Sequence, residues 1–598
     1  MEMISEWTVE RVTAHTEFGP ACELREQVLS RSSATWYASR NAGEGDTCEI
    51  GVHELYIDAQ LPVENPILEH ESFRVGQSLA AVLELPSEIL PEPKSGILCL
   101  YQHKEWWMRP IWVHSLADVP ARTQMIMWRS RGGTWCVLLA VCDGEMRADL
   151  CAGESASQIS ASLSVNQASR TVIRGLALVS AAGNDPYALV DACVQAIAQR
   201  NGLAMHESRP FPEALRGLGW CTWDSLGQQV SELAIFEKMR EFQAKQVPVS
   251  WVLIDDGWSE TANGKLTGLR ANEQRFPHGL AHTIRTLKTE FGVRHVGVWQ
   301  AFQGYWQGVE PESTAARELD GTLEHLPNSM LIPCADQSRS AEFWHVWDTQ
   351  LQVAGIDFVK VDSQSTTSLL ARGVESFGSL RERHAALDSV TGQLFDGALI
   401  NCMGMAPESY WSRPSSPIAR TSDDFFPNIP ESLAEHAIEN AYCSLLIGCL
   451  CYCDWDMFWT RHPHARTHML LRWISGGPIY CSDKLGETDS DLLAPLFDAD
   501  GNLTHPDGVG VPVLDSLLAD PVHGDVPLGI RNTFHGDEVL LFVGLNADAP
   551  QTAHIRATES ALAVLDPETG ARIRLEPSDE LAITLNYGDC ALRVLQRL

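Results

Sequence analysis

Ile356-Asp357-Phe358-Val359-Lys360-Val361-Asp362 is a short, largely apolar run that ends in a carboxylate and passes into the polar Ser363-Gln364-Ser365. As a strand it places Phe358, Lys360 and Asp362 on one face, because alternate residues point the same way. A cation beside a carboxylate favours the ionised acid. Near-continuous apolar character marks a strand covered on both faces, the habit of parallel sheets.

Seven further runs read the same way: Leu218 to Thr222, Ser250 to Asp255, His295 to Ala301, Ala398 to Met403, Ile418 to Ser422, Cys451 to Asp456 and Pro478 to Ser482. Amphipathic stretches such as Glu232 to Gln246, Leu280 to Phe291 and Ala341 to Ala354 lie between them and predict helices. Alternating β and α means a parallel sheet, and eight units is the count of a (β/α)8 TIM barrel. Residues 1–205 instead show short alternating runs, such as Ile50 to Ile57 and Gly96 to Tyr101, between Pro, Gly and Asn breaks, and then a helical stretch from Asn184 to Gln199. The end of the chain returns to short strands, with Asp566-Pro567-Glu568-Thr569-Gly570 as a turn. The expectation is a multidomain α/β protein: an N-terminal β-sandwich over 1–205, a TIM barrel over 206–522, and a small C-terminal β-sandwich over 523–598.

The 598 residues exceed what one hydrophobic core serves. A net charge of -34 repels nucleic acid and anionic membrane, since it cannot neutralise phosphates. No run reaches the roughly 18–20 apolar residues of a membrane span, and Glu2, Glu6 and Glu10 make the opening unlike a secretory signal. The 16 cysteines are scattered through a large chain, which fits reduced thiols in the cytoplasm better than a disulfide scaffold. The 19 tryptophans suit either a core or platforms for sugar rings. The expected partner is a small oligosaccharide, with no nucleic acid, membrane or cofactor; a homo-oligomer stays open.

Active sites of TIM barrels form at the C-terminal ends of the strands. Four of these ends are acidic: Asp255-Asp256, Asp362, Asp423-Asp424 and Asp454 with Asp456. One alone reads as a solvated edge or helix cap; four at one mouth raise each other's pKa, a cost that usually marks function. Arg420, Ser422 and Asp424 share parity, and Asp423 has the opposite one. Two inward carboxyls from different strands suit glycoside cleavage, where one attacks the anomeric carbon and the other handles the proton. Asp255 and Asp256 are then free to accept paired hydrogen bonds from neighbouring sugar hydroxyls.

These strand ends resemble a known family. Gly219-Trp220-Cys221-Thr222-Trp223-Asp224, Ile254-Asp255-Asp256-Gly257-Trp258, Lys360-Val361-Asp362, Ser422 to Pro427, Asp454 to Phe458, Pro478 to Lys484 and, upstream, Lys104-Glu105-Trp106-Trp107-Met108 are similar to motifs of the raffinose synthase, seed imbibition protein and alkaline α-galactosidase group of glycoside hydrolase family 36. The resemblance implies retaining cleavage of α-galactosides, with Asp362 as nucleophile and an aspartate of the Ser422-Asp423-Asp424 motif as acid/base. Asp424 is preferred on parity and on its spacing from Arg420, with Asp423 as the alternative. The resemblance also implies that Asp255 and Asp256 grip galactose, and that Trp220, Trp223, Trp299, Lys360, Cys402 and Arg420 wall the pocket, with Trp106 or Trp107 reaching in. Gln300 stands where plant members are expected to carry His.

Other signals carry less. Cys449, Cys451 and Cys453 lack the CxxC spacing of structural zinc sites. His462, His464 and His468 fit the start of a helix near Pro463. Asp255, Asp256 and Asp362 have Lys360 and Arg420 to balance them, which argues against a bound metal. No histidine base lies near Cys221 in sequence, and no phosphate-binding glycine loop is present. The expected function is α-galactoside hydrolysis. Galactosyl transfer from galactinol to sucrose is the runner-up, and a non-catalytic carbohydrate-binding protein is the third reading.

Overall fold

Eight strands pair in parallel and in chain order: β1 (Leu218–Cys221), β2 (Val249–Ile254), β3 (His295–Ala301), β4 (Phe358–Asp362), β5 (Leu399–Asn401), β6 (Ile418–Arg420), β7 (Tyr452–Asp454) and β8 (Ile479–Cys481). β1 pairs with both β2 and β8. Between β7 and β8 the contact narrows to one parallel bridge, Phe458 with Cys481, so the barrel is nearly closed. These features come from a computed structural model that describes residues 8–15, 22–23, 28–40, 47–60, 78–167, 169–170, 172–558 and 560–598. Glu2 and Glu6 of the chain's opening lie outside the described residues.

Large and small side chains interlock inside the barrel. A Cβ on Gly219 would lie 2.3 Å from the Trp251 indole, and one on Gly297 would lie 2.3 Å from the Phe358 ring. These glycines of β1 and β3 therefore make room for the aromatics of β2 and β4. Trp251 meets Phe358 edge-on with ring centroids 5.6 Å apart, and lies 5.2 Å from Tyr480 of β8. The floor is a packed core, which confines ligands to the mouth.

Most strands feed a helix on the outer face. The helices are α1 (Glu232–Ala244), α2 (Leu280–Glu290), α3 (Gln337–Ala354), α4 (Phe377–Leu394), α5 (Ser432–Ile447) and α6 (Ala465–Ile474). Ser231 caps α1 through Ala234 N, and Asp336 caps α3 through Arg339 N. β5 is followed only by the single turn Pro407–Tyr410. Pro407, Pro414 and Pro417 explain this, since each removes a helical N–H.

The ladders end one or two residues before several expected strand ends, because the chain turns sharply at the mouth. Ser363 after β4, Met403 after β5 and Asp456 after β7 all have left-handed backbone, with φ of 64°, 46° and 65°. Such non-glycine conformations cost free energy and cluster where a site needs a particular geometry.

Among the described residues, an antiparallel 13-stranded sheet precedes the barrel. Leu55, Leu83, Cys99, Ile126, Leu138, Leu150, Leu163 and Leu178, drawn from successive strands, share a core of their own, so the sheet folds over on itself. Helix Pro186–Asn201, capped by Asp185 and ended by Gly202 at φ 67°, joins it to the barrel. After the barrel come a six-stranded antiparallel sheet and a two-stranded pair, packed around Phe542, Ile555, Val564 and Leu585. Among the described residues no helix is long and apolar enough to cross a membrane.

Candidate active site

The lower part of the site is built on β4 and β2. Phe358 sits on the floor, Lys360 above it and Asp362 at the mouth, as strand alternation requires. The Lys360 ammonium donates to Asp255 Oδ2 at 2.9 Å. Burial would favour neutral lysine, but the Asp255 charge outweighs it and keeps Lys360 protonated. Asp362 accepts from Trp299 Nε1 at 3.1 Å and from its neighbour's Ser363 N–H at 2.9 Å. The Cys221 thiol donates to Asp255 Oδ2 at 3.4 Å, and burial followed by the Asp255 charge pushes its pKa well up, so it remains a thiol.

Asp255 and Asp256 are buried, 2% and 1% exposed. Asp256 accepts from Tyr305 OH at 2.8 Å, Gln228 Nε2 at 2.8 Å and Trp306 Nε1 at 3.0 Å. Asp255 accepts from Lys360, Cys221 and the Asp256 N–H. A carboxylate offers about four lone-pair directions, so each aspartate retains about one for a ligand.

The opposite wall comes from β6 and β7. Arg420 is fully buried; its Nη2 donates to Asp424 Oδ1 at 2.9 Å and to Asp456 Oδ2 at 2.7 Å. Asp456 also accepts the Phe425 N–H at 2.8 Å. Burial raises the Asp456 pKa, but Arg420 and the His436 hydrogen bond prevail and hold it well below the carboxylate range. Asp424 differs. Its side chain is 47% accessible at the mouth. Partial desolvation by the crowded walls of the mouth, together with the Asp456 and Asp362 charges and against Arg420 and Lys360, pushes its pKa up to about 6.

Asp423 points elsewhere. Its Oδ2 accepts from Lys104 of the N-terminal sheet, its Oδ1 accepts the Asp424 N–H at 2.9 Å, and its own N–H donates to Glu439 at 2.8 Å. Burial first, then the Asp423 and Glu435 charges, raise Glu439 to about 8. Trp107, on the same turn as Lys104, lies under the Arg420 guanidinium, 5.5 Å from ring to Cζ, and is 1% exposed. Trp106 is partly buried, and its carbonyl accepts the Met405 N–H.

The other expected wall residues divide. Trp299 and Cys402 sit at the base; Cys402 lies 3.8 Å from Arg420 Nη1, and burial followed by the Asp362 charge keeps its thiol protonated. Trp223 is half-buried on the loop after β1. Trp220 is a correction: it is 0% exposed and packs edge-on against Phe242 of α1, because its parity turns it out of the barrel. Gln300 likewise faces outward and donates to Asp348 of α3, away from the mouth. Cys449 and Cys453 donate to different backbone carbonyls, Leu445 and Cys451. His464 precedes the first residue of α6, and His468 lies beside Arg472 in that helix.

Sequence reasoning did not assign roles to Asp456, Tyr305, Trp306, Gln228, Glu439 or Asp224. Asp224 follows Trp223, and burial plus the Asp456 and Asp424 charges raise it to about 8. Its place after a barrel strand was the available signal.

The family described as raffinose synthase or seed imbibition protein Sip1 matches residues 92–275 and 263–533. A probable galactinol–sucrose galactosyltransferase of Arabidopsis thaliana is 28% identical over 491 residues, 72% of this chain and 65% of the relative. A galactinol–sucrose galactosyltransferase of Oryza sativa subsp. japonica is 28% identical over 504 residues, 73% of this chain and 64% of the relative. The chain thus spans slightly under two thirds of the length of these relatives. Among solved structures, a variant of the GH36 α-galactosidase AgaA of Geobacillus stearothermophilus, in complex with raffinose, superposes with a TM-score of 0.58 at 12% identity, covering 98% of this chain and 89% of that one. The α-galactosidase of Lactobacillus brevis gives 0.56 at 11% identity, with 98% and 87% covered. With the family match running from the N-terminal sheet through all eight barrel strands, the chain belongs to the raffinose synthase or seed imbibition protein family.

Proposed function

We propose that the chain is a retaining α-galactosidase, acting from the mouth of a (β/α)8 barrel framed by two β-sandwich domains. The observation that carries this is the pairing of unlike carboxyls. Asp362 is oriented by the Trp299 Nε1 and Ser363 N–H donors, whereas Asp424, within reach of the Asp362 charge, is raised to about 6. Retaining glycoside cleavage needs two carboxyls from different strands, one placed to attack and one raised to act as the acid. Asp362 attacks the anomeric carbon, and the C–O bond to the leaving group breaks as Asp424 gives that oxygen its proton. Asp424 then takes a proton from water, which displaces Asp362 and restores the anomeric configuration. Arg420 keeps Asp424 in place, and Lys360 holds Asp255 in position as an acceptor for a sugar hydroxyl.

The names of the curated relatives favour a second reading, in which a sugar hydroxyl replaces water as acceptor. Both readings share the galactosyl-enzyme. They are separated by incubating the protein with p-nitrophenyl α-galactoside or galactinol, with and without sucrose, and following products by NMR. Release of free α-galactose regardless of sucrose supports hydrolysis, and formation of a trisaccharide at the expense of galactose supports transfer. Failure to consume any α-galactoside overturns both.

A further inference from the structure

We propose that Glu232, His278 and His282 form a zinc-type divalent metal site that staples α1 to α2 on the rim of the barrel, separate from the catalytic carboxyls. His278 Nδ1 lies 2.6 Å from Glu232 Oε1, and His282 Nδ1 lies 3.1 Å from Glu232 Oε2. The three groups bring one ligand atom each within 4.8 Å of one another. Zinc bonds of about 2.0–2.2 Å at a tetrahedral centre place ligand atoms roughly 3.3 Å apart, so small shifts convert these contacts into a coordination set.

The site has the other parts a metal needs. Two imidazoles and a carboxylate are ligand types zinc accepts. The Glu232 side chain is nearly buried at 7%, while those of His278 and His282 are 64% and 36% exposed, leaving the solvent side open for entry and for a water ligand. Thr283 Oγ1 donates to Glu232 Oε2 at 2.8 Å and fixes the carboxylate from behind. The two imidazole rings face one another at 4.8 Å.

The position suggests what a bound ion would do. Glu232 is the first residue of α1, and the histidines flank the start of α2. The Glu232 N–H donates to the Arg275 carbonyl at 3.0 Å, and Arg275 Nη1 donates to the Gly257 carbonyl at 2.5 Å. Gly257 follows Asp256 directly, so tightening the α1–α2 junction stiffens the turn that carries the buried aspartates.

The test uses the full chain stripped with a chelator and titrated with Zn²⁺, and with Co²⁺ as a spectroscopic stand-in, beside His278→Gln/His282→Gln. The expected result is one more bound equivalent in the wild type, at least tenfold weaker uptake in the variant, and a zinc-dependent rise in Tm that the variant lacks. Bound Co²⁺ should show no thiolate charge-transfer band. Equal uptake by both proteins, or a thiolate band persisting in the variant, overturns the proposal. Should the variant not fold, anomalous scattering at the zinc edge from soaked wild-type crystals decides: a peak among these three side chains supports the site, and none there rejects it.

Discussion

Asp424 is pulled in opposite directions, by partial desolvation and by Asp456 and Asp362 towards the neutral acid and by Arg420 and Lys360 towards the anion, and the balance near 6 sets a pH limit. As a raised acid it holds its proton below about 6 and loses it above. The kcat/KM profile of the free enzyme should therefore show an alkaline limb near 6. Asp424→Asn should remove that limb and slow substrates with poor leaving groups about a hundredfold or more, while sparing activated aryl galactosides. If Asp423→Asn does this instead, the acid/base is Asp423. Asp362→Ala should abolish turnover, and azide should rescue it to give product of inverted configuration, detectable by NMR; rescue with retention would remove Asp362 as nucleophile. Asp362, Lys360 and Asp424 were legible because they lie on or just beyond strands, where parity fixes direction. The same rule, applied to Trp220, places it outward. Asp456 was legible as part of an acidic strand end, but its turn onto Arg420 and the partners of Asp256 were not, because Asp456 leaves the ladder with left-handed backbone and Gln228, Tyr305 and Trp306 sit on loops whose path periodicity does not encode.

The turn that carries Lys104 and Trp107 crosses from the N-terminal sheet to the loop of Asp423 and Asp424. Lys104 is 44% exposed, so its ion pair adds little to stability, about 0–1 kcal/mol. Its effect is on position, since Asp423 in turn holds the Asp424 N–H. Lys104→Ala should leave the urea midpoint almost unchanged and lower kcat/KM several-fold; an unaltered kcat/KM would reduce the contact to decoration. Inside the barrel the expectation reverses. Gly219→Ala drives a Cβ into the Trp251 indole, which is 0% exposed and has no room to move, and should cost roughly 1–3 kcal/mol in chemical denaturation. All eight strands were legible as apolar runs between amphipathic stretches, because burial on both faces writes itself into composition. The thin fifth unit and the fold-over of the N-terminal sheet were not, since they depend on which distant strands pair, a choice that local pattern leaves open.

The whole chain carries 78 acidic against 44 basic residues, and several of the acids are buried. Burial is the first cause in each case: Asp224 and Glu439 are raised to about 8, Asp348 to about 7, and Asp191 and Asp483 to about 6, from ordinary values of 3.8 or 4.5. Each keeps a proton in the folded chain where the unfolded chain has released it. Below about 6.5 the buried histidines His103, His384, His436 and His468 act in the opposite sense, since burial disfavours their protonated form and the unfolded chain binds the proton instead. The net fall of stability with rising pH therefore belongs to the window from about 6.5 to about 8, where Asp224, Glu439 and Asp348 release their protons. Glu241 acts in the opposite sense. Burial opposes it, but Lys245 and Lys238 hold it down to about 2, so its contribution is present above 4.5 and fades as pH drops towards 2. The net charge of -34 adds self-repulsion that also grows with pH but is screened by salt, whereas the buried acids are screened far less. Urea unfolding should accordingly show greatest stability near neutral pH, about 6 to 7, and a decline towards about pH 9, of which high salt removes only part. Asp348→Asn, which preserves a partner for Gln300, should flatten the remaining slope by making one buried site unable to ionise. A stability that is flat or rising from about pH 6.5 to about pH 9, or a slope abolished by salt alone, would show that the buried carboxyls do not govern it.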